Sequence, residues 1–329
     1  MRPVRAPARE RRRLYGLEVE SDLPLPCLPA GGGATDVTIR WLGLAPPFAR
    51  PLPTRVPDWA QEDGHWVLHY HDAHGNVLEF LVEPDGSAVA VRHRSDCDWP
   101  DFLPMLLGPA LCAVLNLRGV PVFHGGAVCG EGGAVLLLGQ AEAGKSTLTA
   151  AMIAEGAPLL CEELAVLSMQ AGVVGIQPGH RFIKLSPSSA AALGITPGAL
   201  PAVYPDSHYT DQRWLDAAML AGGHHDAAAA LSVVYLLAGR REGLRTPEIE
   251  PLAPAEACLS LRGFLMQSRM PRPPADTMRL CARVATVAPV RRVWLPDGLD
   301  TVGSSARALL DAAGTVAADR WVTAAAGEP

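Results

Sequence analysis

Apolar and polar residues alternate in short runs through the first third of the chain, which is the pattern of half-buried β-strands. The runs begin at Leu17, Val37, His65, Val77 and Ala88. The segments His74-Gly75-Asn76 and Asp85-Gly86 lie between runs, and both favour hairpin turns because Asn, Asp and Gly tolerate positive φ angles. We therefore predict an antiparallel β region over residues 15–94, followed by a helix over residues 102–118.

Beyond Gly119 the strand-like runs alternate with helix-like segments. Strands are predicted over residues 121–123, 126–129, 134–138, 159–167, 182–185 and 232–237. Helices are predicted over residues 145–155, 187–193, 254–261 and 302–325. Gly156 is expected to end the first of these helices, because glycine favours the left-handed conformation of helix ends. The pattern predicts an α/β fold in three parts, namely a basic flexible tail over 1–14, a β-rich region ending in a helix over 15–118, and an α/β domain over 119–329.

The formal net charge of −6 argues against a general nucleic-acid binder, because such proteins usually present a basic face to phosphates. The start of the chain is a local exception to this acidic balance. Its first thirteen residues include Arg2, Arg5, Arg9, Arg11, Arg12 and Arg13. We interpret this segment as a solvated tail, and a docking arm for an acidic partner is the alternative.

The longest apolar stretch, residues 105–117, is broken by Gly108 and Pro109 and is too short to cross a bilayer. The arginine-rich start lacks the apolar segment of a secretory signal. Seven cysteines are scattered along the chain without a C-x-x-C spacing, which is typical of reduced thiols. We therefore predict a cytoplasmic protein that has no membrane partner.

Residues 139–146 match the phosphate-binding pattern G-x-x-x-x-G-K-[ST], known as the P-loop, at every fixed position. A predicted strand precedes this segment and a predicted helix follows it, which is the context that such a loop needs. There the backbone N–H groups and the positive end of the helix face phosphate oxygens. The predicted nucleotide-binding residues are Gly139, Gln140, Ala141, Glu142, Ala143, Gly144, Lys145, Ser146 and Thr147.

Two side chains of the motif and two later acids have predicted roles. Lys145 is expected to reach the β and γ phosphates, and the Ser146 hydroxyl is expected to ligate Mg²⁺. Glu162 and Glu163 interrupt an otherwise apolar strand, in which unpaired carboxylates are costly to bury. Adjacent strand residues point to opposite faces, so we expect one acid to face the metal ion and the other to face the incoming nucleophile. The alternative is that one acid only pairs with an arginine.

A histidine followed by two glycines, His124-Gly125-Gly126, stands before the phosphate-binding motif. A histidine at the end of a strand is more often structural than catalytic. The histidine-glycine pair, the P-loop and the later acidic pair nevertheless follow one another in the order and spacing of the HPr kinase/phosphorylase family. The chain resembles this family over roughly residues 120–190.

A second resemblance concerns the N-terminal region. Tyr15-Gly16-Leu17 and the segment of residues 21–26, Ser-Asp-Leu-Pro-Leu-Pro, are similar to the start of stand-alone HPr-kinase-like proteins. Some of those proteins belong to peptide-natural-product pathways and phosphorylate a precursor peptide on serine, as lasso-peptide kinases do.

The resemblance implies a P-loop kinase core of the HPr kinase/phosphoenolpyruvate-carboxykinase type. It also implies in-line phosphoryl transfer from ATP with Mg²⁺ to a hydroxyl group. Lys145, Ser146 and Thr147 would hold the phosphates and the metal ion, and His124 would lie near the phosphates. Glu162 and Glu163 would occupy the acidic-pair positions, where they would ligate the metal and provide the base.

The sequence departs from the family in two places. The acidic pair of the family is normally Asp-Asp, and each glutamate here is longer by one methylene, in chemistry that is sensitive to about 1 Å. The glycine-rich segment that follows the acidic pair is replaced by residues 178–185, Pro-Gly-His-Arg-Phe-Ile-Lys-Leu. The longer acids imply either a site that has shifted to suit them or reduced catalysis. The missing glycine-rich segment argues against HPr as the substrate and against the reverse, phosphorylase reaction.

Phosphoryl transfer also needs a cation over the γ-phosphate, for which Arg213 and Arg262 are the candidates. We interpret His224-His225-Asp226 as a loop rather than a metal site. We predict a kinase that phosphorylates a hydroxyl, foremost a serine of a peptide or small protein. The alternatives are a small-molecule kinase and a non-catalytic nucleotide sensor. GTP or pyrophosphate in place of ATP, and a homo-oligomer, are left open.

Overall fold

The protein is a mixed α/β structure whose chain divides into two compact units. The computed structural model describes residues 9–44, 58–71, 77–93, 103–170, 172–204, 211–266 and 274–326. One unit contains the described residues up to Val120, and the other contains most of those from Pro121 onward. None of the helices in these described ranges is both long and apolar enough to cross a membrane.

The first unit is built on a seven-stranded sheet. Its strands are β1 (Glu10–Leu14), β2 (Leu17–Ser21), β3 (Val37–Leu44), β4 (Asp58–Glu62), β5 (His65–His71), β6 (Val77–Val82) and β7 (Ala88–His93). Their order across the sheet is β1-β2-β3-β7-β6-β5-β4. The turn predicted at Asp85-Gly86 is confirmed, because it joins the antiparallel strands β6 and β7 and Gly86 has a φ of 68°. The other predicted turn, His74-Gly75-Asn76, lies outside the described residues.

The prediction of a wholly antiparallel region is wrong at the centre of this sheet. Strand β3 runs parallel to both β2 and β7. Parallel neighbours require a connection that returns the chain to the same end of the sheet. Residues 22–36 make that return between β2 and β3, and the buried side chains of Leu23, Leu25 and Leu28 pack along it. The alternation of apolar and polar residues cannot distinguish such a connection between parallel strands from a long hairpin loop.

Strand β1 corrects the prediction of a flexible tail over residues 1–14. Residues 1–8 are outside the described part, but Glu10–Leu14 pairs antiparallel with the whole of β2. The acids of β2 face the arginines of β1 and the residue before it, with Arg9 Nη1 at 3.1 Å from Glu20 Oε1 and Arg13 Nε at 3.7 Å from Glu18 Oε1. Charge pairing across the two strands and the buried Leu14 therefore order a run that lacks apolar alternation.

A buried helical segment closes the first unit. It consists of a π-helical turn, Leu106–Ala110, and helix α1 (Leu111–Leu117). Pro109 lies inside the π-turn, where the wider hydrogen-bond spacing suits a residue that has no backbone N–H. The helix predicted over 102–118 is confirmed over its described part.

The second unit contains an eight-stranded sheet, a two-stranded hairpin and five α-helices within its described residues. The strands of the sheet are β8 (Val122–Gly130), β9 (Gly133–Gly139), β10 (Leu159–Cys161), β11 (Leu164–Gln170), β12 (Val173–Ile176), β15 (Ala229–Arg241), β16 (Glu248–Pro251) and β17 (Val290–Pro296). The hairpin is a two-stranded antiparallel sheet of β13 (Phe182–Leu185) and β14 (Arg213–Asp216), whose strands are separated in sequence by residues 186–212. The helices are α2 (Lys145–Ala154), α3 (Pro187–Ala192), α4 (Pro254–Arg262), α5 (Pro274–Val287) and α6 (Val302–Ala326).

Strand β9 lies at the centre of this sheet, between antiparallel β8 and parallel β15. Its side chains are buried on both faces. Val135 and Leu137 belong to a core with α2 and α6, whereas Leu136 and Leu138 belong to a second core with α4 and α5. Burial on both faces explains why β9 is a continuous apolar run. The next loop departs from the carboxyl end of this buried strand.

Most elements predicted for this half are confirmed, including β9, β13, β15 and all four helices. Two strands predicted at 121–123 and 126–129 are one strand, β8, so His124 lies within a strand rather than at its end. The strand predicted over 159–167 is interrupted at residues 162–163. Strands β12, β14, β16 and β17 and helix α5 were not predicted.

Candidate functional site

The loop of residues 139–146 joins the carboxyl end of β9 to the start of α2. Gly144 precedes the helix with a φ of 94°, a left-handed conformation that glycine adopts without steric cost. No side chain caps the first turn of α2, so its leading backbone N–H groups have no side-chain acceptor. Gln140, Ala141 and Glu142 are exposed. The loop therefore presents unpaired donors and the positive end of a ten-residue helix.

The Lys145 side chain folds back over this loop. Its Nζ donates to the carbonyl oxygens of Gly139 at 2.8 Å and Gln140 at 2.9 Å. Burial lowers the pKa of Lys145, and the charge of Glu162 opposes that change. The ammonium group is thus held by neutral carbonyls that a phosphate group can replace, because phosphate is a stronger, charged acceptor.

Ser146 and Glu162 form the contact that is most informative for a metal ion. Ser146 Oγ donates to Glu162 Oε1 at 2.7 Å, and Glu162 is only 6% exposed. The other carboxylate oxygen, Glu162 Oε2, is buried without a hydrogen-bond partner among the described residues. Burial, then the charge of Glu163, raises the pKa of Glu162 to about 7. A hydroxyl and a carboxylate with one unsatisfied buried oxygen fit a Mg²⁺ ion, which prefers oxygen ligands.

The two glutamates occupy a break in the sheet. Strand β10 ends at Cys161 and β11 begins at Leu164, and Glu163 has a φ of 66°. The expectation that the acids would alternate across a regular strand is therefore wrong. The positive φ at Glu163 turns the chain locally, which relieves the need to bury one carboxylate in each apolar core.

Glu163 forms an ion pair with Lys184 of β13. The side chains are only 20% and 12% exposed, so the pair is largely screened from water. Burial on its own would raise the pKa of Glu163, but the charge and the hydrogen bond of Lys184 lower it below the ordinary value. The partner of this acid is thus a lysine, whereas the sequence suggested an arginine as the alternative.

His124 lies in β8, opposite Leu164 at the start of β11. The next residue, Gly125, donates its N–H to the carbonyl oxygen of Glu163 at 3.1 Å, so the histidine and the acid lie on neighbouring segments. Burial, and then the charge of Lys145, lowers the pKa of His124. Its Nδ1 is buried without a partner among the described residues. The imidazole of His124 is therefore neutral at pH 7.

The glycines after His124 have a steric role. A Cβ at Gly126 would stand 2.6 Å from Thr149 Oγ1 of α2, and a Cβ at Gly125 would stand 2.5 Å from the carbonyl oxygen of Leu137. Neither position accepts a side chain without displacement of its neighbours. The Gly-Gly pair thus allows β8 to lie close to both β9 and α2.

His180 and Lys184 are part of this group of residues, and sequence reasoning did not single them out. His180 is fully buried, neither ring nitrogen has a hydrogen-bond partner among the described residues, and its ring packs edge-on against Trp214 with centroids 6.2 Å apart. Burial lowers the pKa of His180 to about 4. The only available sequence signal was the polar Lys184 within the apolar run of β13.

Other predicted residues lie elsewhere or have other partners. Thr147 Oγ1 is 2.8 Å from Ser189 Oγ of α3, so this hydroxyl has a side-chain partner outside the 139–146 loop. Arg213 pairs across the hairpin with Leu185, and Arg262 is exposed at the end of α4. His224 Nδ1 lies 2.8 Å from Asp226 Oδ1, and no group of three or more His, Cys, Asp or Glu side chains in the described ranges is arranged to hold a metal.

Comparisons with known proteins add little to this geometry. No family model matches the chain, and no curated protein sequence matches it significantly. One similar solved structure is the Hpr(Ser) kinase/phosphatase from Coxiella burnetii. The match covers 61% of this chain and 97% of that chain at 13% identity, with a TM-score of 0.29. A likeness this weak does not assign the chain to a family.

Proposed function

We propose that the chain is an ATP-dependent kinase that transfers a phosphoryl group to a hydroxyl, with the second unit as its catalytic domain. The observation that carries the proposal is the contact between Ser146 and Glu162 at the start of α2, where one buried carboxylate oxygen has no partner. Lys145 and the uncapped N-terminus of α2 lie directly beside this contact. Positive charge and oxygen ligands for a divalent cation are therefore adjacent, as a nucleoside triphosphate with Mg²⁺ requires.

Each residue has a stated part in this proposal. The backbone of the 139–146 loop and Lys145 would bind the phosphates, and Ser146 with Glu162 would hold Mg²⁺. Held by these two residues, a divalent cation would supply positive charge that offsets the charge of the phosphates. Phosphoryl transfer depends mainly on positioning and charge neutralisation, so no strongly basic group is needed.

Glu163 is the better candidate for the residue that orients the acceptor hydroxyl. It lies one residue from the metal-binding acid, and Lys184 keeps it ionised at neutral pH. An ionised carboxylate can accept the proton that the hydroxyl loses, and His124 lies on the neighbouring strand as a neutral group. This assignment divides the two acids between the metal and the acceptor.

For the acceptor we propose a serine of a peptide or small protein, such as a natural-product precursor peptide. The support is the resemblance of the N-terminal segment to stand-alone HPr-kinase-like proteins. Radiolabel transfer from γ-labelled ATP to a panel of peptides, small proteins and small alcohols tests this directly. We expect label on a serine-containing peptide, with none above background for Lys145→Ala. Label on small alcohols alone would make the chain a small-molecule kinase.

A nucleotide sensor without catalysis is the second candidate, and the glutamates at the two acidic positions favour it, since each is longer by one methylene than the aspartates of the family that the chain resembles. Such a sensor would bind ATP yet label no acceptor. The double variant Glu162→Asp/Glu163→Asp shortens both acids by one methylene. Increased turnover in this variant would indicate an attenuated kinase, and continued inactivity with intact ATP binding would support the sensor.

A further inference from the structure

Arg240 is placed beside the 139–146 loop by the topology of the sheet. Strands β9 and β15 are parallel, and Leu237 of β15 pairs with Gly139, the first residue of the loop. The carboxyl ends of parallel strands lie at the same edge of a sheet, where open α/β sheets bind their ligands. Arg240 follows Leu237 by three residues and therefore lies at that edge, and its side chain is exposed.

The guanidinium group of Arg240 is held in place from one side. Its Nη1 donates to the carbonyl oxygens of Pro296 at 3.0 Å and Gly298 at 3.3 Å, at the end of β17. Its Nη2 lies 3.4 Å from the position that a Cβ on Gly144 would occupy. The side chain is thus fixed by backbone acceptors and directs its other nitrogen at the residue that precedes α2.

The charge of Arg240 is not neutralised by an ion pair within the described residues. No described carboxylate lies within 4 Å of Arg240, and Lys145 donates only to carbonyl oxygens. The N-terminus of α2 adds a partial positive charge, and cations near that end of a helix are unfavourable unless an anion is present. Two cations and a helix N-terminus in one place therefore indicate an anionic ligand.

The neighbouring arginine has a different environment. Arg241 forms an ion pair with Glu248, and its guanidinium carbon lies 4.5 Å from the centroid of the Trp294 ring. Its charge is neutralised and its face is covered, although it is adjacent in sequence and comparably exposed. Arg241 is therefore a matched control for Arg240.

We propose that Arg240 is a phosphate-binding residue that contacts the polyphosphate chain of the nucleotide beside Gly144. This inference rests on the proposed function, because it assigns a further ligand to the same nucleotide site. Arginine suits this position, since its planar fork can bond the two carbonyl oxygens and a phosphate oxygen at the same time. The contact would be electrostatic and would not depend on the nucleobase.

The test is calorimetric titration of the full chain with Mg·ATP and, separately, with magnesium tripolyphosphate, which has no ribose or base. Arg240→Gln is expected to weaken both ligands about 10- to 100-fold, the range for loss of a charge-assisted hydrogen bond. Arg241→Gln is expected to stay within about twofold of wild type. The salt dependence of binding should also become shallower in Arg240→Gln alone, because one cation is lost from the site.

Arg240→Lys keeps the charge but loses the fork, and we expect about threefold to tenfold weaker binding of both ligands than in Arg241→Lys. If Arg240→Gln does not fold, the comparison of Arg240→Lys with Arg241→Lys tests the proposal. Equal affinities in the matched Arg240 and Arg241 variants would overturn the proposal, as would a loss confined to ATP, which would place the contact on the ribose or base. A lowered melting temperature with unchanged affinity would mean a purely structural arginine. Absence of binding in the wild type would instead contradict the proposed function itself.

Discussion

The two sides of the candidate site contain adjacent glutamates that differ in almost every physical respect. On the loop side, Glu162 contacts a neutral hydroxyl, has one unsatisfied oxygen and has a pKa raised to about 7. On the hairpin side, Glu163 is paired with Lys184 and has a lowered pKa. The protein thus leaves one carboxylate oxygen of Glu162 without a hydrogen-bond partner among the described residues, whereas it neutralises the charge of Glu163 with Lys184. An incomplete buried carboxylate indicates a missing cation, and we assign the metal ion to that side.

The largest expected effect separates the roles of the two acids in phosphoryl transfer. Glu162→Gln should lower the rate of transfer about a thousandfold and weaken Mg²⁺ binding, because a metal ligand is lost. Glu163→Gln should lower the rate about a hundredfold, with unchanged Mg·ATP affinity, because only the group that orients the acceptor is lost. Single-turnover kinetics and calorimetry on both variants measure the two quantities. Equal loss of Mg²⁺ affinity in both variants would contradict the division.

The next effect concerns stability on the hairpin side. Lys184→Met leaves Glu163 buried without its partner and should lower the free energy of unfolding by about 3 kcal/mol. The ion pair between Arg307 and Glu155 is the control, because the Arg307 side chain is 68% exposed and Arg307→Met should cost less than about 1 kcal/mol. Urea unfolding of both variants at pH 7 gives the comparison. Similar losses in the two variants would show that Glu163 is not dependent on Lys184.

A smaller effect is the pH dependence of stability on the loop side. The pKa of Glu162 is raised from an ordinary 4.5 to about 7, so the folded metal-free protein binds more protons than the unfolded chain between these values. The free energy of unfolding should therefore fall as the pH rises through this window, by the amount that this group contributes. Glu162→Gln removes that decrease. The melting temperature of the variant minus that of the wild type should therefore become more positive between pH 5 and pH 8. A difference that is independent of pH would contradict the raised pKa.

The smallest predicted effect is proton release on metal binding. The raised pKa leaves the Glu162 carboxyl partly protonated near neutral pH, and Mg²⁺ requires the ionised form. Binding of Mg·ATP should therefore release a fraction of a proton from Glu162 in the wild type and almost none in Glu162→Gln. Calorimetry in buffers that differ in ionisation enthalpy measures this number. Equal release in both proteins would assign the proton to another group.

Sequence patterns predicted the parts of the site that depend on local structure. The strand before the 139–146 loop, the helix after it and the helix end at Gly156 agree with the structure, since apolar runs and glycine act within a few residues. The separation of Glu162 from Glu163 was not predictable, because it depends on the positive φ of Glu163 and on Lys184, which is 21 residues away. Arg240 was missed for the same reason, as only the pairing of β15 with β9 brings it to the loop.

The N-terminal sheet shows the same limit. Alternation found most strands of that sheet, but it did not find β1, whose order depends on pairing with acids of β2. Alternation also could not predict that β3 runs parallel to β2, because strand direction depends on the path of the connection over residues 22–36. Strand existence is a local property, whereas strand direction and charge pairing depend on contacts made elsewhere in the chain.

Calorimetric titration of the wild type and of Lys145→Ala with Mg·ATP tests the central claim most directly. The account predicts saturable binding to the wild type that is lost, or weakened at least a hundredfold by loss of the phosphate-binding lysine, in Lys145→Ala. Circular dichroism should show that both proteins are folded. A wild type that gives no heat of binding with Mg·ATP, or equal affinity in the two proteins, would contradict it.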